Sequence, residues 1–192
     1  MAQTLLVTGG CGFIGANFVR YTFSEHADDR IINLDKLTYA GNPANLAEFE
    51  CDDRYRFVQG DITDAAVVGP LVAEADCIVN FAAESHVDRS ILGSADFLHA
   101  NVHGTYVLLD AARHHGVHRF LQISTDEVYG SIDEGAWDEG WPLAPRNPYS
   151  ATKASAELLV RAFHLSHDVP TLVTRASNNI GPYQYPEKRV PL

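Results

Sequence analysis

Two adjacent acids beside a hydroxyl group are the residues of this sequence best suited to chemistry. They lie in residues 124–130 (STDEVYG), directly after the apolar end of a predicted strand. In open α/β sheets, ligands bind at the carboxyl ends of strands. Two neighbouring carboxyls repel a second charge, which separates their pKa values and allows an acid to stand next to a base. We therefore predict that Asp126 and Glu127 catalyse an elimination in addition to a redox step, with helix capping or a solvated turn as the alternative.

A tyrosine and a lysine follow at the start of a predicted helix. Tyr149 and Lys153 are four residues apart, so their side chains lie on one helix face. A phenol with a pKa of about 10 is a weak base at neutral pH, but a nearby ammonium group and a cationic nicotinamide favour the phenolate. Tyr149 can then accept a proton from a substrate hydroxyl while hydride leaves the same carbon. Tyr-x-x-x-Lys also occurs by chance on helices, so this spacing indicates a redox site only in combination with the glycine motif upstream.

The glycine motif is the loop at residues 9–15 (GGCGFIG), between a predicted strand and a predicted helix. Its spacing fits G-x-G-x-x-G, in which glycines permit a tight turn and close approach of the backbone to a pyrophosphate. Asp35 follows Gly15 by 20 residues (35 − 15), where a carboxylate can accept hydrogen bonds from ribose hydroxyls. No arginine adjoins Asp35 to bind a 2′-phosphate, so the motif predicts NAD rather than NADP. A glycine turn without a ligand is the alternative.

Asp61 and Ile62 follow the third predicted strand. In this fold they would lie near the adenine. Asp61 or Thr63 can also cap the next helix, and the two roles are compatible.

The elements that must position these residues alternate between short apolar runs and longer helical patterns. Such alternation predicts an α/β fold, a Rossmann-like doubly wound parallel sheet with helices on both faces. The predicted strands are 5–8, 31–35, 57–59, 78–81, 120–124 and 172–175, and the predicted helices are 13–23, 65–73, 95–115 and 149–167.

One long segment interrupts this alternation. Residues 131–148 are rich in glycine and proline and include Trp137 and Trp141. Long loops in compact domains are more often lids or binding elements than connectors. The alternative is a surface excursion whose tryptophans pack on the body of the domain.

Composition restricts the partners and the compartment. The 192 residues are 46% hydrophobic and carry a formal net charge of −11, which argues against nucleic acid or an anionic membrane as a partner. No apolar run reaches the length of a spanning helix, and the start of the sequence has no basic region typical of a signal peptide. Cys11, Cys51 and Cys77 have no metal-ligand spacing, and no acid or cysteine accompanies the histidine pairs. We expect a cytoplasmic protein with reduced thiols and no metal.

Several segments together resemble the extended short-chain dehydrogenase/reductase family and, within it, the dTDP-glucose 4,6-dehydratases. They are residues 9–15, 35–42, 82–90, 124–130, 148–153 and 177–184. The Thr-Asp-Glu run at residues 125–127 is the discriminating element, because related sugar-nucleotide epimerases and decarboxylases do not carry this acid pair.

The resemblance implies a mechanism. Tyr149 removes the proton of the sugar 4-hydroxyl while NAD takes the C4 hydride, Thr125 hydrogen-bonds that oxygen, and Lys153 holds the ribose. Glu127 then abstracts the C5 proton and Asp126 protonates the departing 6-hydroxyl. Hydride returns to C6, so NAD is regenerated and stays bound.

The resemblance also implies which residues bind the two ligands. For NAD they are Gly9, Gly12, Phe13, Ile14, Gly15, Asp35, Lys36, Thr38, Asp61, Ile62, Ala82, Tyr149 and Lys153. For the nucleotide sugar, dTDP-glucose, they are Ser85, His86, Thr125, Asn178, Glu187 and Lys188.

The family continues beyond residue 192 with a smaller domain that closes over the nucleotide sugar. We therefore expect residues 1–192 to be the NAD-binding domain with the catalytic residues, with the substrate-binding region starting near residue 178 and the C-terminal substrate domain largely absent. A homodimer is expected of the full-length protein. The alternatives are another NAD-dependent sugar-nucleotide enzyme, such as a 4-epimerase or a decarboxylase, and an inactive NAD-binding fragment.

Overall fold

A six-stranded parallel sheet forms the centre of the molecule in a computed structural model, which describes residues 2–184. The strand order is β3-β2-β1-β4-β5-β6, so the chain moves outward from β1 to β3 and then returns to the other side of β1. This reversal makes the doubly wound topology and confirms the predicted fold class. The strands are β1 (Thr4–Thr8), β2 (Arg30–Asp35), β3 (Tyr55–Gln59), β4 (Cys77–Asn80), β5 (Arg119–Thr125) and β6 (Thr171–Ala176).

Helices cover both faces of this sheet. Two short 3-10 helices, Pro43–Phe49 and Asp126–Tyr129, follow β2 and β5. The helices are α1 (Phe13–Glu25), α2 (Ala65–Ala73), α3 (Val87–Leu92), α4 (residues 95–115) and α5 (Pro148–His167). None of the helices within residues 2–184 has the length and apolar character needed to cross a membrane.

The core has two main parts, one on each face of the sheet, and a smaller cluster of Val128, Tyr129 and Ala154 lies between the 3-10 helix Asp126–Tyr129 and α5. On one face, α2, α4 and α5 pack on the strands through a cluster that includes Val68, Leu108, Phe120 and Val160. On the other face, α1 packs through a smaller cluster that includes Val7, Val19, Phe23 and Ile31. The sheet therefore presents its carboxyl edge, where the chemical residues lie, between two helical layers.

The predicted strands and helices are all present, with small shifts at their ends. α3 and both 3-10 helices are additional to the predicted elements, because elements this short carry no periodic signal. The sequence analysis also did not anticipate that Leu98–Gly104 in the middle of α4 is a π-helix. Such segments occur frequently at functional sites.

The long segment at residues 131–148 packs on the surface of the domain. Trp137 stacks on Tyr129 with ring centroids 5.5 Å apart, whereas Trp141 is 47% exposed. Ala144 N donates a hydrogen bond to Val128 O at 2.9 Å. All of this segment is described, and it lies outside the lining of the main cleft. The structure thus favours the surface excursion over the predicted lid, with Trp137 packed and Trp141 half exposed.

Candidate active site

A cleft of about 490 Å³ opens at the carboxyl edge of the sheet. Every residue predicted to contact the cofactor lines it, although these residues come from four different strand ends and from α5. The cleft also holds Ser85, Ser124 and Gln184. Its place, above the central β1 at the reversal of strand order, is the usual ligand site of a doubly wound sheet.

The glycine loop forms the floor of this cleft. Gly9 has a φ of +70°, and a Cβ there would lie 2.7 Å from Ala82 N, so only glycine fits. At Gly15 a Cβ would collide with the carbonyl oxygen of Gly9. Gly12 caps α1 without a side-chain hydrogen bond, which leaves the first-turn N–H groups to a ligand. Helix N-termini built in this way bind phosphate groups, and the cradle therefore fits a dinucleotide.

Asp35 ends β2 and fixes the shape of the glycine loop. Its Oδ2 accepts a hydrogen bond from Cys11 N at 2.9 Å, and its Oδ1 accepts one from Leu37 N at 2.8 Å. Burial raises the pKa of Asp35, and these two N–H donors oppose that rise. Each carboxylate oxygen has a further lone pair for a ribose hydroxyl. Asp35 thus joins the glycine loop to the β2 end in addition to its predicted ribose contact.

Lys36 and Asp61 form an ion pair where the loops after β2 and β3 line the cleft. Their Nζ and Oδ2 atoms are 2.7 Å apart, and the hydrogen bond with Asp61 raises the pKa of Lys36. Asp61 Oδ1 accepts a hydrogen bond from Thr63 N at 3.0 Å. Neither Asp61 nor Thr63 caps α2, because that helix has Asp64 as its N-cap, which accepts from Ala66 N. The predicted capping alternative for Asp61 or Thr63 is therefore wrong.

Tyr149 and Lys153 are placed by a well-defined start of α5. Asn147 caps the helix, with Pro148 in the first turn and a capping box to Ser150. Tyr149 N donates a hydrogen bond to Ser90 Oγ at 3.2 Å, which ties the helix start to α3. Both Tyr149 and Lys153 are buried at the wall of the cleft.

The environment of Tyr149 holds its proton. Burial raises the pKa of Tyr149, the charges of Glu127 and Asp126 raise it further, and a hydrogen bond with Thr125 lowers it. Lys153 Nζ donates a hydrogen bond to Ile123 O at 2.6 Å, which holds its ammonium group at the wall of the cleft. The cationic nicotinamide of the oxidised cofactor would add a positive charge that favours the phenolate.

The two acids lie in the first turn of Asp126–Tyr129. Thr125 Oγ1 donates a hydrogen bond to Asp126 Oδ1 at 3.2 Å and accepts one from Glu127 N at 3.3 Å. Glu127 Oε2 accepts a hydrogen bond from Asn147 Nδ2 at 3.1 Å. The acids therefore contact both the strand end and the start of α5. The Asn-Pro sequence could have identified Asn147 as a cap, but no sequence signal indicated its contact with Glu127.

Asn101, in the π-helical part of α4, is a further residue that sequence reasoning missed. Its Oδ1 accepts from Glu84 N at 2.8 Å, and its Nδ2 donates to Glu84 O and to Thr152 Oγ1, both at 2.9 Å. This amide joins the loop after β4 to α5. The two walls of the cleft are thereby held at a fixed separation.

Ser124 lines the cleft with a side-chain hydroxyl that is buried. Its Oγ has no hydrogen-bond partner within residues 2–184, although the residue is only 6% exposed. Buried polar atoms in native proteins are normally paired. This hydroxyl is available to a polar ligand group and fits a dinucleotide site.

The predicted substrate residues are only partly assembled. Ser85 lines the cleft, and Thr125 lies beside Tyr149. His86 is the N-cap of α3, and Asn178 is exposed beyond the end of β6. Glu187 and Lys188 lie outside the described residues. Within residues 2–184 there is no group of three or more His, Cys, Asp or Glu side chains placed to hold a metal.

Comparisons with known proteins give a consistent result. A family model described as GDP-mannose 4,6 dehydratase matches residues 6–192. A low-salt glycan biosynthesis protein of Haloferax volcanii is 60% identical over 187 residues, which are 97% of this chain and 60% of that protein. A dTDP-glucose 4,6-dehydratase of Streptomyces niveus is 55% identical over 192 residues, covering 98% of this chain and 57% of the relative.

A solved structure is similar over the same region. The dTDP-glucose 4,6-dehydratase of Streptomyces venezuelae, crystallised with NAD, matches 96% of this chain and 59% of its own with a TM-score of 0.93 and 53% identity. The chain therefore spans less than two thirds of the length of the relatives it matches.

Proposed function

This chain belongs to the GDP-mannose 4,6 dehydratase family, and we propose that it carries the NAD site and catalytic residues of a dTDP-glucose 4,6-dehydratase. The reaction converts dTDP-glucose to dTDP-4-keto-6-deoxyglucose. The observation that carries the proposal is the position of the acid pair. Asn147 caps the helix that carries Tyr149 and donates a hydrogen bond to Glu127, and Thr125 contacts both Asp126 and Tyr149, so redox and elimination groups share one site.

Tyr149, Thr125 and Lys153 perform the oxidation in this proposal. When bound, NAD supplies a hydride acceptor and, once reduced, a hydride donor. Tyr149 accepts the proton of the sugar 4-hydroxyl, and Thr125, which lies beside Tyr149, hydrogen-bonds the same sugar oxygen. Lys153, whose Nζ is fixed by the carbonyl of Ile123, holds the nicotinamide ribose.

Glu127 and Asp126 then perform the elimination. A ketone at C4 makes the C5 hydrogen acidic, and Glu127 accepts that proton. Asp126 gives a proton to the departing 6-hydroxyl, so the leaving group departs as water. Hydride then returns to C6 and the proton held by Glu127 returns to C5, which gives the 4-keto-6-deoxy product. The contacts of Glu127 with Asn147 and of Asp126 with Thr125 orient each carboxyl for its task.

The proposal also assigns the residues that bind NAD and the sugar nucleotide. The cofactor is expected to contact all the predicted NAD residues, because they share one cleft. Ser85, His86, Thr125, Asn178, Glu187 and Lys188 are proposed to contact the sugar nucleotide.

For the whole protein we propose a cytoplasmic homodimer. Exposed apolar side chains on α4 and α5 support a second copy, since Leu98, Tyr106, Leu158 and Leu165 are each more than 40% exposed. All three cysteines are free, in accord with a reducing compartment. Sedimentation velocity tests the dimer, and a monomer at all concentrations contradicts it.

A second candidate is an NAD-binding domain that does not turn over. The cofactor residues are assembled in the cleft, whereas Asn178 is exposed beyond β6. This candidate predicts NAD binding without product.

The deciding experiment combines the protein with NAD and dTDP-glucose and measures the 4-keto chromophore in alkali. Product that disappears in the Asp126→Asn/Glu127→Gln double variant supports the dehydratase. NAD binding without product supports the second candidate. A 4-epimerised or decarboxylated sugar, identified by mass spectrometry and NMR, supports another sugar-nucleotide enzyme.

A further inference from the structure

A cation–π contact joins the loop after β2, which lines the cleft, to α3, which follows β4. The guanidinium carbon of Arg89 lies 4.0 Å from the centroid of the Tyr39 ring. Tyr39 belongs to the loop that follows β2 and lines the cleft, whereas Arg89 belongs to α3, which follows β4. Cation–π pairs at such distances are attractive, and more so when they are shielded from water.

The strand order places this contact over the glycine loop. β1 lies between β2 and β4, so a contact from the β2 loop to α3 passes over the carboxyl end of β1. That end continues directly into the glycine loop. A ligand in the crevice at the reversal of strand order thus lies between the glycine loop and the Tyr39–Arg89 contact.

The Tyr39 side of the contact is held firmly at its base. Leu37 has a φ of +58°, and its N–H donates to Asp35 Oδ1 at 2.8 Å. Asn42 N donates to Cys11 O at 3.0 Å, which returns the loop to the glycine loop. Non-glycine residues in this backbone region persist where the surroundings fix them, often at ligand clamps.

The Arg89 side is connected to the catalytic helix. Its neighbour Ser90 is buried, donates from Oγ to Val87 O at 2.6 Å and accepts from Tyr149 N at 3.2 Å. The phenol of Tyr39 is also near enough to Tyr149 to raise its pKa, after the larger effects of burial, Glu127 and Asp126. The contact therefore joins the Asp35 half of the cleft to the Tyr149 half.

We infer that Tyr39 and Arg89 form a bridge that retains the dinucleotide in the cleft. The inference rests on the proposed NAD site, because a dinucleotide that extends from Asp35 to Tyr149 passes beneath the bridge. The bridge must open before the cofactor leaves, so it slows release. Such retention suits a reaction in which hydride is removed and returned within one turnover.

The test measures release of NADH from the protein, chased with excess NAD and followed by NADH fluorescence in a stopped-flow instrument. Because Arg89 is exposed, Tyr39→Leu and Arg89→Met should each speed release by about 2- to 5-fold, the effect of losing an exposed cation–π contact. Tyr39→Phe, which keeps the ring, should release NADH at nearly the wild-type rate. The double variant Tyr39→Leu/Arg89→Met should be no faster than either single variant, because both remove the same contact.

Two controls separate retention from general damage. Arg56→Met removes an exposed ion pair with Glu74 outside the cleft lining and should leave release unchanged. AMP, which reaches only the Asp35 side, should dissociate at the same rate from the wild type and from Arg89→Met. Arg89→Met alone is sufficient if Tyr39→Leu does not fold.

Three results would overturn the bridge. The first is unchanged NADH release in Tyr39→Leu and Arg89→Met when the wild type binds NADH, which leaves the proposed function intact. The second is slower release in these variants, which would mean that the Tyr39–Arg89 contact competes with the cofactor for the cleft instead of retaining it. The third is a wild type that binds no NADH, which overturns the proposed function as well.

Discussion

Arg175 and Glu157 form a forked ion pair that joins the acidic turn to the catalytic helix. Arg175 Nη2 lies 2.7 Å from Glu157 Oε2, and Nε donates to the same carboxylate. Arg175 Nη1 also donates to the hydroxyl of Tyr129 at 2.6 Å. Tyr129 ends the turn that carries the two acids, and Glu157 lies on the helix that carries Lys153. The pair thus fixes the acids relative to α5.

The first prediction concerns this pair. Glu157 is only 4% exposed, so Arg175→Met leaves a carboxylate buried without its counter-ion. We expect a loss of about 3 kcal/mol in the free energy of unfolding in urea. The double variant Arg175→Met/Glu157→Gln should recover part of this loss. Arg113→Met, which breaks the more exposed pair with Asp110, is the matched control and should change stability little. An Arg175→Met protein as stable as the wild type would show that the Arg175–Glu157 ion pair does not stabilise the fold.

The second prediction concerns Asp35 and the cofactor. Asp35→Ala removes an acceptor for the ribose and for Cys11 N, so NAD affinity should fall at least about tenfold in titration calorimetry. Asp64→Ala, which removes only the cap of α2, is the control and should bind NAD normally. Equal affinities of wild type and Asp35→Ala, or a preference of the wild type for NADP, would remove the basis of the cofactor proposal.

The third prediction separates elimination from oxidation. Glu127→Gln removes a negative charge that raises the pKa of Tyr149, so that pKa should fall. The pH dependence of NAD reduction on addition of dTDP-glucose, followed at the absorbance of NADH, should shift to lower pH. Release of 4-keto-6-deoxy product should fall strongly. Asp133→Asn, an exposed acid of the following segment, is the control and should change neither. Normal product release by Glu127→Gln would mean that the acid is structural.

The fourth prediction concerns stability at alkaline pH. Burial raises the pKa of Cys11 from 9.0 to about 12 and that of Tyr55 from 10.0 to about 12, and Asn33 hydrogen-bonds both groups. Their neutral forms stabilise the fold below pH 9. That contribution is lost as the pH rises toward 12, because the unfolded chain ionises first. The urea midpoint should therefore fall between pH 8.5 and about 10.5.

Variants at Cys11 and Tyr55 test whether these two groups cause the loss of stability at alkaline pH. Cys11→Ala and Tyr55→Phe should each flatten the fall of the urea midpoint with pH, whatever their effect at neutral pH. Cys51→Ala, at an exposed cysteine, should keep the wild-type slope. A wild-type midpoint that rises over this pH range would contradict the prediction.

The sequence by itself determined the fold class and identified a set of cofactor residues that share one cleft. Alternation of apolar runs with helical patterns located all the strands of the sheet, because each strand carries a local signal. The glycine loop and Asp35 located the cofactor cleft, because strand ends of a parallel sheet meet at one edge. Tyr149 and Lys153 could be paired from their spacing on one helix.

The tertiary structure decided how those residues are held. The contacts of Asn147 with Glu127, of Arg175 with Glu157 and of Tyr39 with Arg89 join elements that are distant in sequence. No local pattern encodes them, because they depend on how helices and loops pack on the sheet. The raised pKa of Tyr149 also depends on tertiary structure, since burial and the charge of Glu127 raise it only after β5 and α5 are brought together.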